Sequence, residues 1–115
     1  MKLVRAYVRT GKVDEVLAAL KRLKAPRITV INVRALGDEI SDEQFGDQLA
    51  LQIRFGRLYT TMAKIELICN DEYARTVKDA IIETARTGCR GDGLIAISSI
   101  EEAVSIRTGK KAIKG

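Results

Sequence analysis

Apolar positions along this chain alternate between short runs and stripes at helical spacing. Leu3 to Val8 is a run broken by Arg5 and closed at Thr10-Gly11, which predicts a first strand. Val13, Val16, Leu17, Leu20 and Leu23 then recur at helical spacing, with Asp14 and Glu15 near the end where the helix dipole favours negative charge. Ala25-Pro26 stops that helix. Ile28, Val30, Val33 and Leu36, with Thr29 and Ile31 between them, predict a second strand rich in β-branched residues and closed by Gly37. The plan repeats with Ala63 to Cys69 as a strand and Asn70 or Asp71 as a helix cap. Tyr73, Val77, Ala80, Ile81 and Thr84 share one helical face before Gly88, and Leu94 to Ser98 supplies a fourth strand.

The order βαββαβ predicts an α/β (α+β) fold, a single domain over residues 1–115 with a ferredoxin-like sheet and two helices on one face. The strands carry apolar residues in both alternation phases, Val4, Ala6 and Val8 against Leu3 and Tyr7. The face away from the helices is therefore expected to lie against another subunit. Between the second and third strands runs a long connection, residues 38–61, and residues 99–115 form a C-terminal tail. The connection holds Phe45, Phe55 and Tyr59, and Leu49, Leu51, Ile53 and Phe55 alternate with polar or small residues as in an extended ribbon. Either the ribbon packs on its own subunit, or it is an arm on which Phe45, Phe55 and Tyr59 meet a partner.

Composition narrows the function classes. With no Trp and only two Phe, the core must be built from Val, Ile, Leu and Ala. Lys and Arg outnumber Asp and Glu by 20 to 15 and are spread along the chain, which suits an anionic ligand or surface and also suits simple solubility. The central strands lack the stacking aromatics of an RNA-recognition module, so no nucleic-acid partner is expected. The start turns polar at once and no segment approaches 18 apolar residues, giving an expected cytoplasmic location. There is no His, and Cys69 and Cys89 are the two cysteines, so neither a disulfide framework nor an ordinary zinc site is indicated. The carboxylates Asp38, Glu39, Asp42, Glu43 and Asp47 lack the order of a calcium loop. No catalytic constellation is present and no tightly bound metal is expected; the chain reads as a non-enzyme.

The densest signal is Thr87-Gly88-Cys89-Arg90-Gly91-Asp92-Gly93, between a helix and a strand. Three glycines in six positions let the backbone bend sharply and bring N–H groups close to an anion. The segment lacks the Lys-Ser or Lys-Thr of a Walker loop and opens a strand where a dinucleotide fingerprint would open a helix. Arg90, Arg107 and Lys110 could supply charge nearby, and each reads equally well as a solvated surface residue. Together with Ile100-Glu101-Glu102-Ala103-Val104 and Ile106-Arg107-Thr108-Gly109, this segment resembles the PII signal-transduction family, and the similarity covers the whole chain. Val30-Ile31-Asn32-Val33 before Gly37 is similar to the family's second strand, and Lys64-Ile65-Glu66 to its third.

The resemblance implies a cytoplasmic homotrimer of ferredoxin-like fold that binds adenine nucleotides between subunits. It also implies control of a membrane transporter or enzyme through the long connection, the family's T-loop. By position, the backbone from Gly88 to Gly93, with Thr87, Cys89, Arg90, Gly91 and Asp92, would surround phosphates. Arg107 would pair with them, Thr29 and Ile68 would flank the base, and Tyr7 and Gly37 would lie beside the cleft. The sequence departs from the family pattern where Leu94 and Met62 replace lysines, Ser105 and Asp38 replace arginines, and Glu39 replaces a glutamine. Those exchanges remove positive charge, so ADP or AMP, or another small anion, is expected as effector in preference to Mg-ATP. A small-molecule-binding enzyme or a structural assembly protein of the same shape is the alternative.

Overall fold

The computed structural model describes residues 1–35 and 60–112. Strand β1 (Lys2–Arg9) leads through a 3-10 turn (Thr10–Lys12) into helix α1 (Val13–Arg22), followed by β2 (Thr29–Ala35). Strand β3 (Thr60–Cys69), helix α2 (Asp71–Ala85) and strand β4 (Gly93–Ser99) repeat the plan. The four strands form one antiparallel sheet in the order β2-β3-β1-β4, which is the ferredoxin-like arrangement. β3 begins three residues before the apolar run at Ala63, because Thr60, Thr61 and Met62 pair with Ala35, Arg34 and Val33 of β2.

The alternation in β1 separates the two faces of the sheet as its pattern predicts. Val4, Ala6 and Val8 are buried beneath the helices with Ala63, Ile65, Leu67 and Cys69 of β3. Val16 and Leu20 of α1 and Ala74, Val77, Ile81 and Ala85 of α2 close this core, so its interior is aliphatic. Asn70 caps α2 by accepting the amide N–H of Tyr73 on Oδ1 at 2.8 Å, the arrangement that satisfies one of the four unpaired donors of a helix start.

Register places Leu3, Arg5, Tyr7 and Arg9 on the opposite, helix-free face, with Lys64, Glu66 and Ile68 of β3. At its centre Glu66 Oε1 accepts from Arg5 Nε at 3.1 Å and pairs with Lys64 Nζ at 3.3 Å. Burial works to raise the Glu66 carboxyl, and the two cations outweigh it, leaving it below the usual range. Leu94, 58% exposed, and Ile31 leave apolar surface on this same face. The tail folds into a small hairpin, with Ser105 N–H donating to the Lys110 carbonyl at 2.9 Å and Ala112 N–H to the Ala103 carbonyl at 2.8 Å. Ile106 and Arg107 are exposed at its tip. Among the described residues no helix is long and apolar enough to cross a membrane.

Candidate functional site

The glycine-rich loop begins where α2 ends at Ala85 and Arg86 turns extended. Its shape is organised around one carboxylate. Asp92 Oδ2 accepts the amide N–H groups of Thr87 at 2.8 Å and Gly88 at 2.9 Å, while Oδ1 accepts from the Thr87 hydroxyl and from Arg9 Nε at 3.0 Å. The Thr87 hydroxyl oxygen in turn accepts the Cys89 N–H at 3.2 Å, and Arg9 Nη2 donates to the Arg90 carbonyl at 2.7 Å. Partial burial acts to raise the Asp92 carboxyl, but the bonds from Thr87, Arg9 and Gly88 together hold it far below the usual carboxylate range. Asp92 thus sits at the centre of the loop with its charged form favoured by these bonds.

Gly93 is demanded by close approach. Its φ is +104°, and a Cβ there would overlap the carbonyl oxygen of Tyr7, with the carbonyl carbon at 2.8 Å. The loop therefore meets the sheet at Tyr7 and Val8, where β1 and β4 pair. A cleft of about 350 Å³ opens beside it, lined by Tyr7, Asp92, Gly93 and Leu94, with Lys78 and Arg86 as its cations and Ile81 among its apolar residues.

Thr29 and Ile68 are brought together at the other end of the sheet. They line a smaller cleft of about 110 Å³ with Leu3, Arg27, Glu66, Ala103 and Ala112, the last two from the base of the tail hairpin that carries Arg107. Val8 pairs with Gly93 and Leu3 with Ile68, and five residues of strand separate these pairs by about 17 Å. Tyr7 and Thr87 to Gly93 thus form one cluster, and Thr29, Ile68 and the Arg107 hairpin another. Gly37, Phe45, Phe55 and Tyr59 lie outside the described residues, as do Asp38, Glu39, Asp42, Glu43 and Asp47. Cys69 is buried at the Lys2 end of the sheet, where burial raises its thiol pKa, and Cys89 is exposed in the loop at the opposite end. The two cysteines do not pair.

A family model described as nitrogen regulatory protein P-II matches residues 1–110. The chain belongs to the P-II family. Among its relatives, nitrogen regulatory protein GlnK2 of Haloferax mediterranei is 35% identical over 112 residues, covering 96% of this chain and 86% of that protein. Nitrogen regulatory protein P-II 2 of Methanothermobacter thermautotrophicus is 35% identical over 116 residues, covering 99% and 96%. Nitrogen regulatory protein P-II of Nostoc punctiforme is 35% identical over 113 residues, covering 96% of each. As a P-II protein the chain is a signal-transduction regulator and not a catalyst.

Sequence reasoning on this P-II chain misses Arg9, because a cation at a strand end reads as solvated surface until Asp92 is seen beside it. Glu66 and Arg27 in the second cleft are likewise missed. The alternation of β3 places Glu66 on the same face as Ile68, and that is the one signal pointing to it.

Proposed function

We propose that this P-II protein works as a homotrimer that binds an adenine nucleotide in clefts between subunits, ADP or AMP in preference to Mg-ATP. Occupancy is passed through residues 38–61 to a membrane transporter or enzyme. The observation that carries this reading is the division of the site. One cluster offers a glycine-rich loop, the other offers Thr29, Ile68 and an exposed hairpin with Arg107, and the two lie at opposite ends of one sheet. A single small ligand is completed most simply by the loop of one copy and the hairpin of the next. The apolar surface left on the helix-free face supports the same association.

Charge supports the choice of ligand. Leu94 is exposed beside the loop and Ser105 stands in the tail hairpin, so neither adds a cation for a third phosphate. The amides of Thr87, Gly88 and Cys89 are held by Asp92 and the Thr87 hydroxyl. Phosphate binding falls to the rest of the loop and to Arg107.

Sedimentation should give three times the chain mass, and calorimetry should give ADP or AMP affinities at least equal to that of Mg-ATP. Arg107→Ala should weaken ADP binding by about 1.5 to 3 kcal/mol with the trimer intact. Leu94→Lys should shift the preference toward ATP by roughly 1 to 2 kcal/mol. A monodisperse monomer, or a strong Mg-ATP preference in the unaltered protein, overturns the reading.

A further inference from the structure

We infer that Arg9 is the positioning residue of the glycine-rich loop: its guanidinium ties the Asp92 carboxylate and the Arg90 carbonyl to the end of β1, and so keeps the loop shaped and charged to receive an anion. The inference rests on the reading that this loop binds a phosphate.

Two features separate Arg9 from an ordinary surface ion pair. It bonds two groups of the loop at once, Nε to Asp92 Oδ1 at 3.0 Å and Nη2 to the Arg90 carbonyl at 2.7 Å. It also lies against Gly91, where an added Cβ would sit 3.4 Å from Nη2. The guanidinium therefore lies against the turn and spans it from Arg90 to Asp92. A planar fork with several donors does this, whereas an ammonium reaches one acceptor well.

Electrostatics gives the arrangement its purpose. An anion-binding loop built around its own carboxylate would repel its ligand unless that charge were offset nearby. The amides of Thr87 and Gly88 and the Thr87 hydroxyl supply only partial positive charge. Among the described residues Arg9 is the whole cation in contact with Asp92. Arg9 is the residue whose removal both frees the loop and leaves a bare negative charge beside the incoming phosphate.

Two readouts on three variants test this. Arg9→Gln should weaken ADP binding by about tenfold and speed amide hydrogen exchange at Thr87 and Gly88 by about the same factor. Arg9→Lys, which keeps the charge but not the fork, should recover most of the affinity and only part of the exchange protection. Lys2→Gln, which removes a cation bonded to Ser99 at the far end of β1, should change neither. If Arg9→Gln binds ADP within twofold of the unaltered protein, or leaves exchange at Thr87 and Gly88 unchanged, the inference is wrong. Should the unaltered protein bind no ADP at all, the nucleotide reading fails by itself, and exchange still decides the part played by Arg9.

Discussion

Replacing Gly93 with Ala tests whether the glycine-rich loop is defined by its contact with the sheet. Two costs add at this position. A non-glycine residue held at φ +104° carries strain of about 1 to 3 kcal/mol. The new methyl would also overlap the Tyr7 carbonyl oxygen, which is backbone and cannot rotate away. β1 and β4 must part at the Val8 and Tyr7 pairings, losing one or two ladder hydrogen bonds at about 1 kcal/mol each. The expected destabilisation is roughly 2 to 5 kcal/mol, a large share of what a domain has. Gly88 and Gly91 are internal controls. Both have positive φ, but a Cβ at Gly88 meets nothing within 4 Å and one at Gly91 meets only the flexible end of Arg9, so Ala at either should cost about 1 to 2 kcal/mol. Denaturant unfolding at one fixed protein concentration measures all three, since the proposed subunit association would contribute to the midpoint. If Gly93→Ala falls within 0.5 kcal/mol of Gly88→Ala, steric closure of β1 on β4 does not set the loop.

Asn70→Ala should cost about 1 kcal/mol of stability through the lost cap on α2, read by the same unfolding experiment, and should leave ADP affinity unchanged. The Asp92 carboxyl is depressed in the folded protein; its contribution to stability is therefore complete above the ordinary carboxyl value of about 4 and is lost as pH falls below it. Thermal melts from pH 6 to pH 3 should show a shallower acid-side decline in Asp92→Asn than in the unaltered protein; equal declines would refute the assignment. On the proposed reading the two halves of the site belong to different copies of a trimer, so ADP at a hundred times its dissociation constant should stabilise that assembly by about 2.7 kcal/mol per site. Slower exchange of labelled subunits in ADP would register it.

The sheet, the helices and their buried faces were legible because each rests on short-range periodicity. The alternation of Val4, Ala6 and Val8 and the helical spacing of Val77 and Ile81 survive intact in the core. β2 was less legible: Val30 and Ile31 point to opposite faces and both remain exposed in this edge strand, so apolar content alone could not identify its inner side. The glycines of the loop were visible as a motif, but its organisation was not. Arg9 and Asp92 are 83 positions apart, and no local pattern joins them. The same applies to the Arg5, Lys64 and Glu66 cluster, which depends on the register of β1 with β3. The grouping of the site residues into two clusters was also hidden, since it follows from strand direction and not from residue type.

Two neighbouring residues at the end of β1 serve different parts of the molecule. Arg9 holds the glycine-rich loop through Asp92 and the Arg90 carbonyl, while the Thr10 hydroxyl donates to the Thr61 carbonyl at 3.2 Å, next to the first residue of β3. The loop and the start of β3 are therefore fastened to one step of backbone. Contiguity of this kind is not itself coupling; a ligand shifts a distant segment only if it binds two arrangements of the connecting groups with different affinity. The Arg9 to Asp92 contact is where such a difference would arise, because an anion held by the loop beside Asp92 would change the strength of its bond to Arg9. A grip that stayed fixed would bind the anion and transmit nothing. One that yields in part moves Arg9, and with it the strand end that Thr10 secures to Thr61.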